Sequence, residues 1–120
     1  MVIYTNWFIP GGYAGITYGP IALIRPKYEG DVGLRKHEEK HIEQFWRYFG
    51  WFPLFYLLSA SFRLKVELEA YQEQLKWYDD TPTMRAWRIN RFARFLATKY
   101  RIHITVLEAE RLLCTETNHR

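Results

Sequence analysis

Apolar and polar positions change their period twice along this chain of 120 residues. The first third carries short β-rich runs at residues 2–9, 13–18 and 21–25. Gly19-Pro20 parts the last two, so a hairpin or a three-stranded sheet is expected there. Six of the seven glycines fall between Gly11 and Gly33, in keeping with a segment built of turns. A loop at residues 26–30 leads to Asp31, a fitting N-cap for a first helix over residues 32–49. Gly50 and Pro53 interrupt that helix, and a second long helical stretch runs to about Tyr78. Asp79-Asp80 breaks the pattern again. Thr81-Pro82 supplies an N-cap and first helical residue for a third helix to about Thr98. Residues 100–104 read as extended. Thr105 and Glu108 have capping-box spacing ahead of a short last helix containing Leu112 and Leu113. The polar tail, residues 115–120, is expected to fray. The fold class is α+β: a small N-terminal sheet of about three strands on three long helices, plus a short C-terminal one.

Composition adds several constraints. The length suits one domain over residues 1–120, with a single core. Aromatic residues are abundant at 18%, so the core is expected to rest on large rings. Cys114 stands alone and cannot form an internal disulfide. Residues 1–10 lack the cationic start of a signal peptide. The longest apolar run, residues 49–58, is too short for an integral membrane span. Its Trp51, Phe52, Phe55 and Tyr56 suit a membrane interface by type, but the simpler expectation places them in the core. A cytoplasmic protein encoded by a phage or bacterium is expected. The formal charge of +4 hints weakly at anionic partners.

Residues 37–41 read His-Glu-Glu-Lys-His, an H-E-x-x-H motif. Residues four apart share one helical face, so His37 and His41 can grip the same ion. Glu38 lies beside that face, placed to take a proton from an activated water. Leu34, His37, His41, Phe45 and Tyr48 form one stripe, which puts both imidazoles on the partly apolar side. Two polar rings there need partners, and a metal is the simplest shared one. A catalytic zinc wants a third protein ligand. The second long helix offers Glu67 and Glu69. Glu67 has Arg63, Leu64, Ala70 and Tyr71 as helical neighbours and should face inwards; Glu69 should face water. An ion pair with Arg63 is the competing role for Glu67. A tight helical hairpin about Trp51 would bring residue 63 opposite the histidines and overshoot Glu67 by roughly 6 Å. Residues 49–58 must therefore be partly non-helical, or the helices must cross steeply.

H-E-x-x-H followed, with 25 residues between, by E-x-E-A at Glu67–Ala70 resembles the gluzincin metallopeptidases. The small size is similar to their minimal, single-domain branch, the minigluzincins, and the match covers residues 21–71. The resemblance implies a zincin-like fold, one zinc ion (Zn2+) held by His37, His41 and Glu67, and hydrolysis of a peptide or protein substrate with Glu38 as general base. It also implies that substrate pairs with a strand at residues 13–18 or 21–25, and it admits latent forms in which residues 100–105 or the tail cover the cleft. Membrane-associated relatives carry Asp where this chain has Tyr71, so Gln44 or Tyr71 must orient a histidine instead. Tyr71, Tyr100 and His103 are candidates for stabilising the oxyanion.

Two other functions compete. Arg85, Arg88, Arg91, Arg94, Lys99 and Arg101 form a basic run with Trp87, Phe92 and Phe95 interleaved, as a nucleic-acid surface would. Arginines three apart nevertheless drift around a helix. A zinc-stabilised interaction protein without turnover is the other alternative. The oligomeric state leaves no trace in the sequence.

Overall fold

In the computed structural model, residues 1–117 are described, with side chains through residue 114. Three strands form one sheet: β1 (Val2–Tyr4), β2 (Gly15–Tyr18) and β3 (Ile21–Ile24). Their order is β1-β3-β2, with β1 parallel and β2 antiparallel to the central β3. The run at 2–9 is strand only over its first part. Arg25 claims the following segment instead, donating to the carbonyls of Ile9, Pro10 and Tyr13 and to Asn6 Oδ1. Backbone carbonyls engaged by a guanidinium are not free to extend a ladder.

Five helices follow: α1 (Val32–Tyr48), α2 (Phe52–Leu58), α3 (Ala60–Leu75), α4 (Pro82–Thr98) and α5 (Val106–Thr117). A single 3-10 turn, Pro26–Tyr28, precedes them. The caps read from sequence hold. Asp31 accepts from the Leu34 amide at 2.9 Å, and Thr81 from Met84 at 3.2 Å. Thr105 accepts from Glu108 while the Glu108 carboxylate reaches back to the Thr105 amide. Such caps supply partners to amides that the first helical turn leaves unpaired, typically worth about 1 kcal/mol each. Helix α5 runs through residues 115–117, which were expected to fray; 118–120 lie outside the described residues.

Residues 49–58 do not join the core. Phe49 and Gly50 take left-handed backbone angles (φ 39° and 74°), α2 follows, and Ser59 is extended before capping α3. No residue of α2 is buried, and Phe49 and Leu58 are 74% and 73% exposed. A helix of two turns between two breaks can press only one side onto its neighbours. Here that side is Phe52 and Tyr56, with Phe52 meeting Phe62 edge-to-face at 5.5 Å. The core lies between α3, α4 and α5, around Leu75, Phe92, Leu96, Ile102 and Leu113. Among the aromatic side chains only Tyr71 and Phe92 are buried, so the interior is mainly aliphatic and most rings line clefts and surfaces. Residues 100–104 form no strand. Arg101 and His103 have positive φ (53° and 62°), and the Arg63 guanidinium holds the carbonyls of Tyr100 and Arg101.

Candidate metal centre

Helix α1 packs along α3, and beyond Gly33 and Leu34 the buried face of α1 is polar: His37, Glu38, His41 and Gln44. One turn separates the two histidines, whose ring centroids stand 5.0 Å apart. From α3, Glu67 places Oε1 3.0 Å from His41 Nε2 and 3.6 Å from His37 Nε2. Two breaks around α2 provide the slack that a tight hairpin lacks. Arg63 does not pair with Glu67; it donates to the carbonyls of Tyr56, Leu57, Tyr100 and Arg101. Glu69 lies on the outer side, as expected, but it is engaged there by Gln44 Nε2 and Arg47.

Gln44 fixes the protonation of His41. Its Nε2 donates to Val66 O and Glu69 Oε1, both acceptors, so its amide oxygen must be the atom 2.8 Å from His41 Nδ1. His41 Nδ1 therefore carries hydrogen, and Nε2 faces a carboxylate. With Gln44 accepting at Nδ1, the short contact between Nε2 and Glu67 needs either a proton held between them or a shared cation. In the metal-free protein it is the proton. Burial disfavours a charged ring, but Glu67 outweighs it and raises the His41 pKa to about 9. Burial likewise works against an ionised Glu67, yet His41 and His37 hold its carboxyl well below the ordinary range.

The alternative, a shared cation, fits the donor set. Two imidazole nitrogens and one carboxylate oxygen, all buried, lie within 4.8 Å of one another. Two donors each about 2.0 Å from one tetrahedral ion stand roughly 3.3 Å apart, and the distances of 3.0 and 3.6 Å bracket that spacing. His37 packs its ring on Tyr71 at 4.4 Å, and its Nδ1 is buried with no partner among the described residues. Gln44 thus orients His41 through a hydrogen bond, whereas Tyr71 touches His37 only through its ring.

The three residues sit at the base of a cleft of about 750 Å³ between β2 and α2, lined also by Glu38, Tyr56 and Tyr100. Two of its polar groups escaped sequence reasoning. The Tyr56 hydroxyl donates to Glu67 Oε2 at 2.6 Å; burial and the Glu67 charge keep that phenol protonated. Its only sequence signal is a lone hydroxyl in an apolar helix. Thr17 Oγ1 lies 2.8 Å from Glu38 Oε1, and nothing in a four-residue strand marks it. Of the proposed oxyanion donors, Tyr100 lines the cleft, with its hydroxyl 2.6 Å from that of Tyr71. Tyr71 stands behind His37. His103 is exposed and does not line the cleft; its left-handed backbone lies in a segment that Arg63 holds by its carbonyls.

The cations of residues 85–101 do not form one face. Arg85 donates to Leu75 O, Arg88 pairs with Asp80, and Arg94 holds Asn90. No helix among the described residues is long and apolar enough to cross a membrane. No family model, no curated protein and no solved structure matches this chain.

Proposed function

We propose that this chain is a zincin-like, metal-dependent peptidase, with zinc the ion its two-imidazole, one-carboxylate donor set suits best. One observation carries the reading: a buried His41 with acceptors at both ring nitrogens, one of them the carboxylate that also approaches His37. A divalent ion held by His37, His41 and Glu67 supplies Lewis acidity to a carbonyl oxygen and acidifies nearby water. Glu38 is the general base. Thr17 occupies Glu38 Oε1, leaving Oε2 to accept a proton from the attacking water and return it to the departing amine. Tyr100 is the candidate donor to the oxyanion, since burial and neighbouring Tyr71 keep its phenol protonated. The substrate strand lies on β2. This strand pairs only with β3 and lines the cleft, whereas β3 is central and has no free edge. Backbone pairing at that edge grips an extended peptide with little demand on its sequence.

The test is Glu38→Gln in a peptide-cleavage screen. Metal content should persist while hydrolysis falls by about a hundredfold or more. Equal cleavage by wild type and variant would remove Glu38 as base and the peptidase reading with it.

A further inference from the structure

A second cavity, of about 720 Å³, opens between the 6–15 segment and α4. It is continuous with the chemistry of the first, because Gly15, His37, Glu38 and Tyr100 line both. Its character is different. The first cavity takes apolar walls from Ile16, Phe52 and Leu57, whereas the second adds Arg25, Lys27, Arg88, Arg91 and the carboxylate of Asp31 to Lys99 and Glu38, which line both.

These cations fall into three groups. Arg88 is neutralised by Asp80, which it grips with two nitrogens at 2.7 and 3.1 Å. Arg25 and Lys99 have only neutral hydrogen-bond acceptors. Arg25 holds three carbonyls and Asn6, and Lys99 donates to Gly12 O at 2.6 Å. Arg25 has its donors engaged and Lys99 one of its three, but neither has an ion-pair partner among the described residues, and both line the cavity. Among the described residues, Arg91 and Lys27 have only aromatic partners. The Arg91 guanidinium lies 5.5 Å from the Trp87 ring and 5.3 Å from Phe95, and the Lys27 ammonium lies 5.1 Å from Tyr28. Ring contacts of this kind position a cation and leave its hydrogens free. A low-dielectric wall with two fixed positive charges and two cations holding unused donors is an anion receptor.

We propose that this second cavity receives a carboxylate of the bound peptide, so that the preferred substrate carries an acidic group on one side of the scissile bond and an apolar residue on the other. The proposal rests on the peptidase reading for the word substrate, though not for the binding itself. A chain laid along residues 13–19 passes from the basic cavity, past Glu38, into the apolar one. The carboxylate has two sources, an Asp or Glu side chain or the peptide's own C-terminus.

Calorimetry on metal-loaded Glu38→Gln protein separates them. The probes are four peptides of one length and sequence apart from a single position: Glu, Gln or Lys with both ends blocked, and Gln with a free C-terminus. A charge-assisted contact predicts that the Glu peptide, the free-carboxylate peptide or both bind about tenfold or more tightly than blocked Gln, and Lys more weakly. Adding Lys27→Gln and Arg91→Gln, both exposed and outside the metal centre, should bring that preference within twofold. Whichever carboxylate peptide gains identifies the source. Equal affinity for Glu, free-carboxylate and blocked Gln peptides would overturn the proposal, as would a preference that survives the double variant. Tighter, Arg91-dependent binding of adenosine monophosphate without any carboxylate preference would also overturn it, in favour of a nucleotide. Should wild type cleave nothing while the carboxylate preference holds, the peptidase reading fails and the anion receptor stands.

Discussion

Stripping the protein of metal with a chelator and raising the pH should destabilise it progressively, through His41. Its folded pKa of about 9 stands above the ordinary 6.5. The stabilisation this reflects is complete below 6.5 and is lost as pH rises through about 9. At about 1.4 kcal/mol per pH unit, the whole is about 3 kcal/mol. Lowering of the Glu67 carboxyl is the same attraction seen from the other partner, so it is counted once. Its pKa is depressed, and its side of the linkage is present above the ordinary 4.5 and lost only in acid. Full stability of the metal-free protein is therefore expected between about 4.5 and 6.5. For a chain of this size, each kcal/mol moves the melting temperature by about 3–6 °C, so melting should fall by about 10–20 °C between pH 6.5 and 9.5. Scanning calorimetry with chelator present, across that range, reads the change directly. Glu67→Gln should abolish or reverse the trend. In excess zinc the wild-type trend between pH 6 and 8 should also reverse, because metal and proton compete for His41 Nε2. Wild-type melting that stays flat or rises with pH under chelator would refute the pairing of His41 with Glu67.

Thr17→Val removes the donor on Glu38 Oε1 and should lower kcat about tenfold, with metal content unchanged; an unaltered kcat in a steady-state assay would exclude Thr17 as the residue that orients the base. Tyr56→Phe takes the hydrogen bond from Glu67 Oε2 and should weaken zinc affinity by about tenfold or more in a competition titration. Unchanged affinity would mean that Glu67 needs no such support. Gly33→Ala would put a Cβ 2.5 Å from Tyr78 Cζ, disturbing the hydroxyl that donates to the capping Asp31. A thermal melt should show about 1–3 kcal/mol of destabilisation, and no change would show that Tyr78 has room to yield.

What the sequence disclosed follows from the reach of local chemistry. Caps at Asp31, Thr81 and Thr105 are contacts over three residues, and all three sit where the residue types indicated. The inward turn of Glu67 was equally legible, because helical periodicity alone separates it from Glu69. Gln44 was reachable for the same reason, lying three residues beyond His41. Strand order was not. Pairing β1 beside β3, in parallel, depends on a loop pinned by Arg25 from the end of β3. Residues 49–58 misled because ring content says nothing of which face finds a neighbour. Tyr56 and Thr17 reach the site through contacts spanning 11 and 21 residues, and no periodicity carries such a signal.

Metal analysis of the purified protein tests the central claim most directly. One equivalent of a divalent ion, zinc foremost, is expected per chain, falling to background when His37 and His41 are both replaced by Ala. A wild-type protein that takes up no divalent ion on titration with zinc, or a double variant that keeps the full equivalent, would contradict the metal centre on which the proposed chemistry depends.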